Sequence, residues 1–292
     1  MKNINIFTAI IINVFITLVE VIIGFAIGSL ALISDAVHNF ADVGALGLSW
    51  WGEKIKKKEP NQQKTFGYKR AEIIIALFNS LILLVVVMFI FYEAIGRIFH
   101  PAEIQGNVMI ITALVALVGN GIATYLLEKD AHKNLNMKSA WLHSLQDALF
   151  SLGVVLGAII IYLTNWFILD PVISIFLCLY IFKEAYELIK QTVDILMESV
   201  PADIDFEKVK TYLEKLPKVI KAHDIHIWQT DSSSRFLSAH LETEDVENGE
   251  RNQLLCDIQN MLQKDFKVSH TTIQLVAGNG KNGINLKCNH CN

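Results

Sequence analysis

The chain has 292 residues, of which 52% are hydrophobic and only 18% charged, with a net charge of −4; its mean hydropathy is +0.39. Soluble domains carry about 25% charged residues, so this composition excludes an ordinary soluble globule, and the mild negative charge argues against a nucleic-acid role. The charge deficit is uneven. Up to about Lys190 the sequence is mostly long apolar runs, and from Asp203 it is mixed and polar, which predicts a membrane domain followed by a small soluble one.

About 20 apolar residues cross a bilayer as a helix. The first run, from about Ile4 to Ile27, has no basic segment beyond Lys2 and no A-x-A cleavage site, so it reads as a span and not as a signal peptide. Spans are predicted near 5–27, 31–51, 72–96, 106–128, 139–163 and 167–189. Gly24, Gly28 and Ser29 separate the first two. Asp170-Pro171 sits near the start of the sixth, where a proline is tolerated in a first turn.

The loop after the second span carries Lys54, Lys56, Lys57, Lys58, Lys64, Lys69 and Arg70, and the loop after the fourth carries Lys129, Lys133 and Lys138. The opposite loops have Arg97 and little else. Basic short loops mark the cytoplasmic side, so both termini are expected there, in a bacterial inner membrane. The lysines of the 54–70 loop are positive-inside signals or contacts for anionic lipid headgroups. Arg70 and Glu72 begin the third span, where they anchor a helix end or interlock with Glu198.

The polar segment reads as helix, strand, strand, helix, strand. Phe206, Val209, Tyr212, Leu213 and Leu216 form one helical stripe, and Leu254, Leu255, Ile258, Met261, Leu262 and Phe266 another. Residues 223–228 and 236–241 alternate as strands around Thr230-Asp231-Ser232-Ser233, a turn signal, and Thr271, Ile273 and Leu275 mark a last strand. That order predicts an α+β sandwich with helices on one sheet face, the other face being open to cover by a second copy. The expected organisation is 1–190 as the transmembrane domain, 191–202 as linker, 203–278 as the soluble domain and 279–292 as a flexible Cys-containing tail. Cys178 and Cys256 are expected to be buried small residues.

Two spacings inside the apolar half decide the chemistry: His38-Asn39-Phe40-Ala41-Asp42 and His143-Ser144-Leu145-Gln146-Asp147. Charge in a span is costly and is usually functional. Residues i and i+4 share a helix face, so each segment offers one imidazole and one carboxylate to the same side. Two such helices supply the four N/O ligands of a tetrahedral Zn²⁺ site. Two lone carboxylates would be a buried double charge. Zn²⁺ with Asp42, Asp147 and two neutral imidazoles is net neutral, and so is the empty site with His38 and His143 protonated. Metal binding therefore expels protons, and a metal/proton exchanger is expected with His38 and His143 as proton carriers, a protonated Asp42 or Asp147 being an equally allowed state of the empty site.

Asp35, three residues before His38 on a similar face, is expected to neighbour the site or to cap the metal's approach. Asn13, Glu20, Asn79 and Asn120 are read as interhelical hydrogen-bonding groups, with a proton-pathway role open for Glu20. Two His and two Asp suit Zn²⁺, with Cd²⁺ or Co²⁺ next; Mg²⁺ prefers more oxygen and Cu(I) sulfur. An intramembrane metalloenzyme would need a catalytic base beside an open metal position, and the H-E-x-x-H signature is absent. A membrane-anchored metal sensor leaves four intramembrane ligands unexplained.

With these motifs placed, the chain resembles the zinc-transporting branch of the cation diffusion facilitator family over nearly its whole length. The resemblance rests on residues 29–42, on Phe66-Gly67-Tyr68-Lys69-Arg70-Ala71-Glu72, on 143–147, on Asp170-Pro171, and on His223-Asp224-Ile225-His226-Ile227-Trp228. It implies six transmembrane helices, a homodimer, a ferredoxin-like (metallochaperone-like) cytoplasmic domain, and metal export driven by proton uptake, with Zn²⁺ as substrate and His38, Asp42, His143 and Asp147 as transport ligands. His38 in place of an aspartate favours zinc. In the family two strand histidines bind a further metal, and they match His223 and His240; the carboxylate that completes that site matches Val276. The tail ends Cys288-Asn289-His290-Cys291, similar to a Cys-x-x-Cys tail of some vertebrate zinc-transporter relatives, so Cys288 and Cys291 are candidate replacements. Strand alternation places His226, His240 and His270 on one face and His223 on the other, unless a bulge intervenes. The loop after the second span has no histidine, so no metal site is expected there.

Overall fold

The computed structural model of the chain describes residues 4–131, 135–244 and 248–277. It divides into two units, Met1–Glu53 with Ile75–Lys190, and Lys54–Ile74 with Gln191–Asn292. The whole predicted tail, 279–292, with Cys288 and Cys291, lies outside the described residues.

The first unit is built from six long helices: α1 (Ile4–Ile27), α2 (Leu30–Lys56), α3 (Ala71–Phe99), α4 (Gly106–Ala131), α5 (Leu135–Thr164) and α6 (Leu169–Leu196), whose ends at α2, α3 and α6 run on into the second unit. Among the described residues, four of them contain stretches long and apolar enough to cross a membrane: Ile10–Ile27, Ala71–Phe99, Gly106–Glu128 and Ala140–Thr164. The other two are more polar, α2 through Ser34, Asp35, His38, Asn39 and Asp42, and α6 through Asp170, Lys183, Glu184 and Glu187. Burial is inverted relative to a soluble protein. Phe15, Leu18, Ile22 and Phe25 on α1 and Phe78, Ile82, Phe89 and Tyr92 on α3 are exposed, whereas Glu20, Ser34, Asp35, Asn39, Ser151 and Ser174 are buried. Apolar side chains outside and polar ones inside suit a solvent of hydrocarbon, where polar groups must be satisfied within the bundle.

The α1–α2 break falls at Gly28 and Ser29 alone. Gly28 has φ +70°, a left-handed conformation that glycine adopts without strain. Gly24 stays inside α1, where the space left by its missing Cβ admits Ile33 of α2. Asp170 and Pro171 stand in the first turn of α6, but Asp170 caps a different helix. Its Oδ1 accepts from Ser29 Oγ (2.6 Å) and the Ala31 amide (3.1 Å), and its Oδ2 from the Leu30 amide (2.8 Å). These are orphan donors at the N-terminus of α2. Arg97 of α3 donates to the Gly28 carbonyl on the other side of the same turn. Where α4 meets α5, a Cβ on Gly106 would lie 2.9 Å from Tyr162 Cα and 3.0 Å from its amide nitrogen. Backbone cannot move as a side chain can, so Gly106→Ala is expected to cost about 1–3 kcal/mol, read as a lower melting temperature in detergent.

The second unit contains α7 (Phe206–Glu214), β1 (Val219–Gln229), β2 (Arg235–Thr243), α8 (Asn248–Phe266) and β3 (His270–Ala277). β1 and β2 pair antiparallel, β2 and β3 pair parallel, and the sheet order is β1-β2-β3. Asp205 caps α7 by accepting from the Lys208 amide. Val209 and Leu213 of α7, Leu254, Ile258 and Leu262 of α8, and Ala222, Ile227, Leu237, Ala239 and Leu241 of the sheet form the core. Cys178 is buried as expected, but Cys256 is exposed on α8. The buried stripe 254, 258, 262 follows the helical period, and position 256 falls on the opposite side.

The α2–α3 loop is part of this second unit. Phe66 meets Phe236 edge-on at 5.3 Å between ring centroids, and Lys69 lies 5.4 Å over the Phe236 ring. Part of the sheet face without helices is thus covered by the chain's own loop. Lys56 pairs with Glu72 (3.1 Å) and with Asp231 in the β1–β2 turn (3.3 Å), and Ser232 donates to Glu72 at 2.8 Å. Arg70 pairs with Glu198 at 2.5 Å, the interlock alternative; Glu72 belongs instead to the Lys56 cluster.

Burial pushes the Asp231 carboxyl up, but the Ser233 and Ser234 amides, the Ser233 hydroxyl and Lys56 outweigh it and hold it below the usual carboxylate range. Burial likewise pushes Lys56 down, and Glu72 and Asp231 outweigh that and hold its ammonium above the usual range. A depressed acid stabilises the fold above its unfolded pKa of about 4, and that stabilisation is lost as pH falls through the lower folded value. Asp231→Ala should therefore destabilise the second unit by about 1–3 kcal/mol near neutrality. The gap to wild type should close in strongly acidic buffer, as followed by melting of the full chain.

Candidate metal centre

α2 and α5 bring the two motifs together. His38 Nε2 lies 3.4 Å from Asp147 Oδ1 and 3.9 Å from Asp42 Oδ2, and His143 Nε2 lies 3.0 Å from Asp42 Oδ2. The His38 and His143 rings are 5.9 Å apart between centroids. One ligand atom from each of His38, Asp42 and Asp147 falls within 4.8 Å of the others, a spacing able to hold a metal ion. The pairing is crosswise: each imidazole faces the aspartate of the other helix.

Exposure across the site is uneven. The side chains of His38 and Asp147 are each 4% exposed, that of Asp42 26% and that of His143 40%. His38 Nε2, Asp42 Oδ2 and Asp147 Oδ1 are buried atoms without a hydrogen-bond partner. Orphaned buried donors and acceptors are costly, and three converging on one point fit a centre completed by an ion or by protons.

A surround that the spacing of the motifs does not announce holds His38. Glu184 Oε2 of α6 lies 3.9 Å from His38 Nδ1. Tyr180 donates to Glu184 and accepts from Gln146. Phe150 and Tyr180 stand edge-on to the His38 ring at 5.9 and 6.0 Å. The signal in the sequence was Glu184 itself, a carboxylate inside a predicted span, four residues from a tyrosine on the same face.

Around the site the buried polar residues bridge helices. Asn39 of α2 donates to Glu20 of α1 (3.1 Å), Asn120 of α4 to Ser151 of α5 (3.0 Å), and Ser151 to Asp35 of α2 (3.3 Å).

In the second unit β1 carries a bulge between His223 and His226, with Asp224 at φ +52°. The bulge resets the alternation, so His223 comes opposite His240, with ring centroids 5.5 Å apart. His240 Nδ1 lies 3.7 Å from Asp224 Oδ2, His223 Nε2 3.6 Å from Glu242 Oε1, and His226 Nε2 2.9 Å from Asp224 Oδ1. Val276 stands opposite Glu242 in the β2–β3 register.

Comparison with known proteins places these two units in context. Residues 6–197 match the cation efflux transmembrane domain, and residues 201–275 match the cation efflux protein cytoplasmic domain. The chain is 36% identical over 255 residues to the metal cation efflux system protein CzcD of Cupriavidus metallidurans, covering 87% of this chain and 80% of the relative. It is 35% identical over 258 residues to the zinc transporter ZitB of Pectobacterium atrosepticum, covering 88% and 80%. It is 33% identical over 261 residues to the cadmium, cobalt and zinc/H(+)-K(+) antiporter of Bacillus velezensis, covering 88% and 83%.

Proposed function

Since this chain belongs to the cation efflux family, we propose that it is a secondary exporter of Zn²⁺, with Cd²⁺ and Co²⁺ as further substrates, exchanging metal for protons at His38, Asp42, His143 and Asp147. The convergence of these four side chains from α2 and α5 carries the reading. All six long helices cross the bilayer in this reading, α2 and α6 being the polar pair that faces the bundle interior. Both termini and the C-terminal domain, of ferredoxin-like type, lie in the cytoplasm of a bacterial cell, as the basic loops require. The chain works as a homodimer through that domain. The domain organisation is that of a transmembrane domain over 1–190, a linker over 191–202, a soluble domain over 203–278 and a short tail.

The crosswise pairs give the coupling its chemistry. In the metal-free state His38 with Asp147 and His143 with Asp42 are ion pairs of imidazolium and carboxylate, net neutral. Zn²⁺ takes neutral imidazole, so it enters as two protons leave, and the loaded site is again neutral. Neither half of the cycle leaves a net charge in the bilayer. The relatives named CzcD, ZitB and cadmium, cobalt and zinc antiporter support the substrate class. In proteoliposomes with an imposed pH gradient, zinc should move against the protons and acidify its compartment of origin; zinc flux without proton counter-movement overturns the exchange.

His223 and His240, facing each other beside Asp224 and Glu242, form a second zinc site of the cytoplasmic domain in this reading, joined by Cys288 and Cys291. His240→Ala is expected to lower bound zinc by about one ion per protomer while leaving the intramembrane site loaded, measured by equilibrium dialysis.

A further inference from the structure

The two ring nitrogens of the buried His38 face different carboxylates. Nε2 lies 3.4 Å from Asp147 Oδ1 and 3.9 Å from Asp42 Oδ2, whereas Nδ1 lies 3.9 Å from Glu184 Oε2 of α6. These are ion-pair distances, longer than hydrogen bonds, and they sort the ring cleanly: one edge toward the candidate ligands, the other toward α6. An imidazole that binds a metal through one nitrogen keeps its proton on the other. The group facing that other nitrogen decides which one is left free. A metal ion among His38, Asp42 and Asp147 meets Nε2, so Nδ1 carries the proton and needs an acceptor there. An ionised carboxylate can only accept.

Glu184 is itself held. Tyr180, one helical turn earlier on the same face of α6, donates to Glu184 Oε1, and Gln146 Nε2 of α5 donates to Tyr180. The Tyr180 ring stands edge-on to Phe150 of α5 at 4.7 Å between centroids, and both rings stand edge-on to His38, at 6.0 and 5.9 Å. Donors thus converge on the carboxylate from α5 through Tyr180 and from α2 through His38.

We propose that Glu184 is a positioning residue of the metal centre, which keeps the His38 proton on Nδ1 and so presents Nε2 to the ion. Carboxylates behind metal-binding imidazoles commonly act in this way. This role rests on the four-ligand reading of the centre. The charge of Glu184 is present with and without metal, so the exchange of one Zn²⁺ for two protons is unaltered.

The test uses the full chain in detergent, in a His240→Ala background so that the cytoplasmic histidine pair does not report. Glu184→Gln keeps the size of the side chain. With its oxygen on the Tyr180 hydroxyl, its amide NH₂ turns to Nδ1 and puts a donor where an acceptor is required. Zinc affinity, read by competition with a chelating dye, should fall about 10–100-fold with the melting temperature unchanged. The visible absorption of bound Co²⁺ should lose the intensity of a tetrahedral site. Adding Tyr180→Phe frees the amide to turn over and should recover part of the affinity. Glu184→Asp, which withdraws the same carboxylate from the ring, should lose less, and it stands in where Glu184→Gln does not fold. Wild-type affinity in the variant read, or a loss in Glu184→Gln that Tyr180→Phe does not relieve, overturns the proposal. Asp147→Asn measured alongside keeps the two readings apart: if it too binds zinc as wild type does, the four-ligand centre fails, and if it alone loses zinc, only the role of Glu184 fails.

Discussion

Asp147→Asn is expected to bring zinc flux in proteoliposomes down to that of empty vesicles while the chain stays folded. Asp147 is nearly inaccessible and is the carboxylate nearest His38. In the proposed site the substitution removes an anionic ligand and leaves Zn²⁺ facing one carboxylate, so the loaded site carries a net positive charge beside the buried His38. An uncompensated buried charge costs about 3–5 kcal/mol, and each 1.4 kcal/mol is about tenfold in affinity, so binding should weaken by roughly 10²–10³-fold. Asn keeps the volume and loses no helix cap, which separates loss of metal from loss of fold. Stopped-flow uptake with a zinc dye, together with a melting curve, measures both. Flux at the wild-type rate would show that α2 and α5 do not hold the transported ion.

Asp170→Ala should act the other way, on the fold before the metal. Its carboxylate satisfies Ser29 and the amides of Leu30 and Ala31, at the N-terminal end of the helix that carries His38 and Asp42. Negative charge is favourable at that end of a helix dipole. Truncation strands three buried donors, each costing about 1–3 kcal/mol, a loss comparable with the whole stability of many domains. The expected result is poor yield from membranes and a markedly lower melting temperature. Asp170→Asn, which keeps one acceptor, should recover part of the stability. The zinc affinity of the folded Asn fraction should be near that of wild type, in contrast to Asp147→Asn.

Much of this was legible in the residues. The four metal-binding candidates could be found because i and i+4 share a helix face whatever the tertiary structure. The long helices were visible because apolar runs have ends. Pairings between distant segments were not. Asp170 reads as a local first-turn residue, and nothing near it in the chain announces that it serves α2. Glu184 lies 146 positions after His38 by numbering, and only the packing of α6 brings it near. Strict alternation put His223 and His240 on opposite faces, and one residue at positive φ, Asp224, reverses that. The lysines of the α2–α3 loop read as positive-inside signals or lipid contacts, yet Lys69 and its neighbour Phe66 lie against Phe236. Cys256 departs from the usual burial of cysteine because the α8 stripe Leu254, Ile258 and Leu262 faces the core and position 256 falls on the other side.

The uneven exposure of the centre has a consequence for turnover. His143 and Asp42 form its open rim, and His38 and Asp147 its floor. An exporter must take its ion from one side and release it to the other, whereas here one pair of the four side chains is partly exposed and the other pair buried. Each delivery therefore requires the walls to come apart on the far side and seal on the near one, a rearrangement that breaks and remakes the polar seams joining α1, α2, α4 and α5. Substitutions that tighten those seams, with the ion-binding groups untouched, would slow delivery without weakening the hold on the ion.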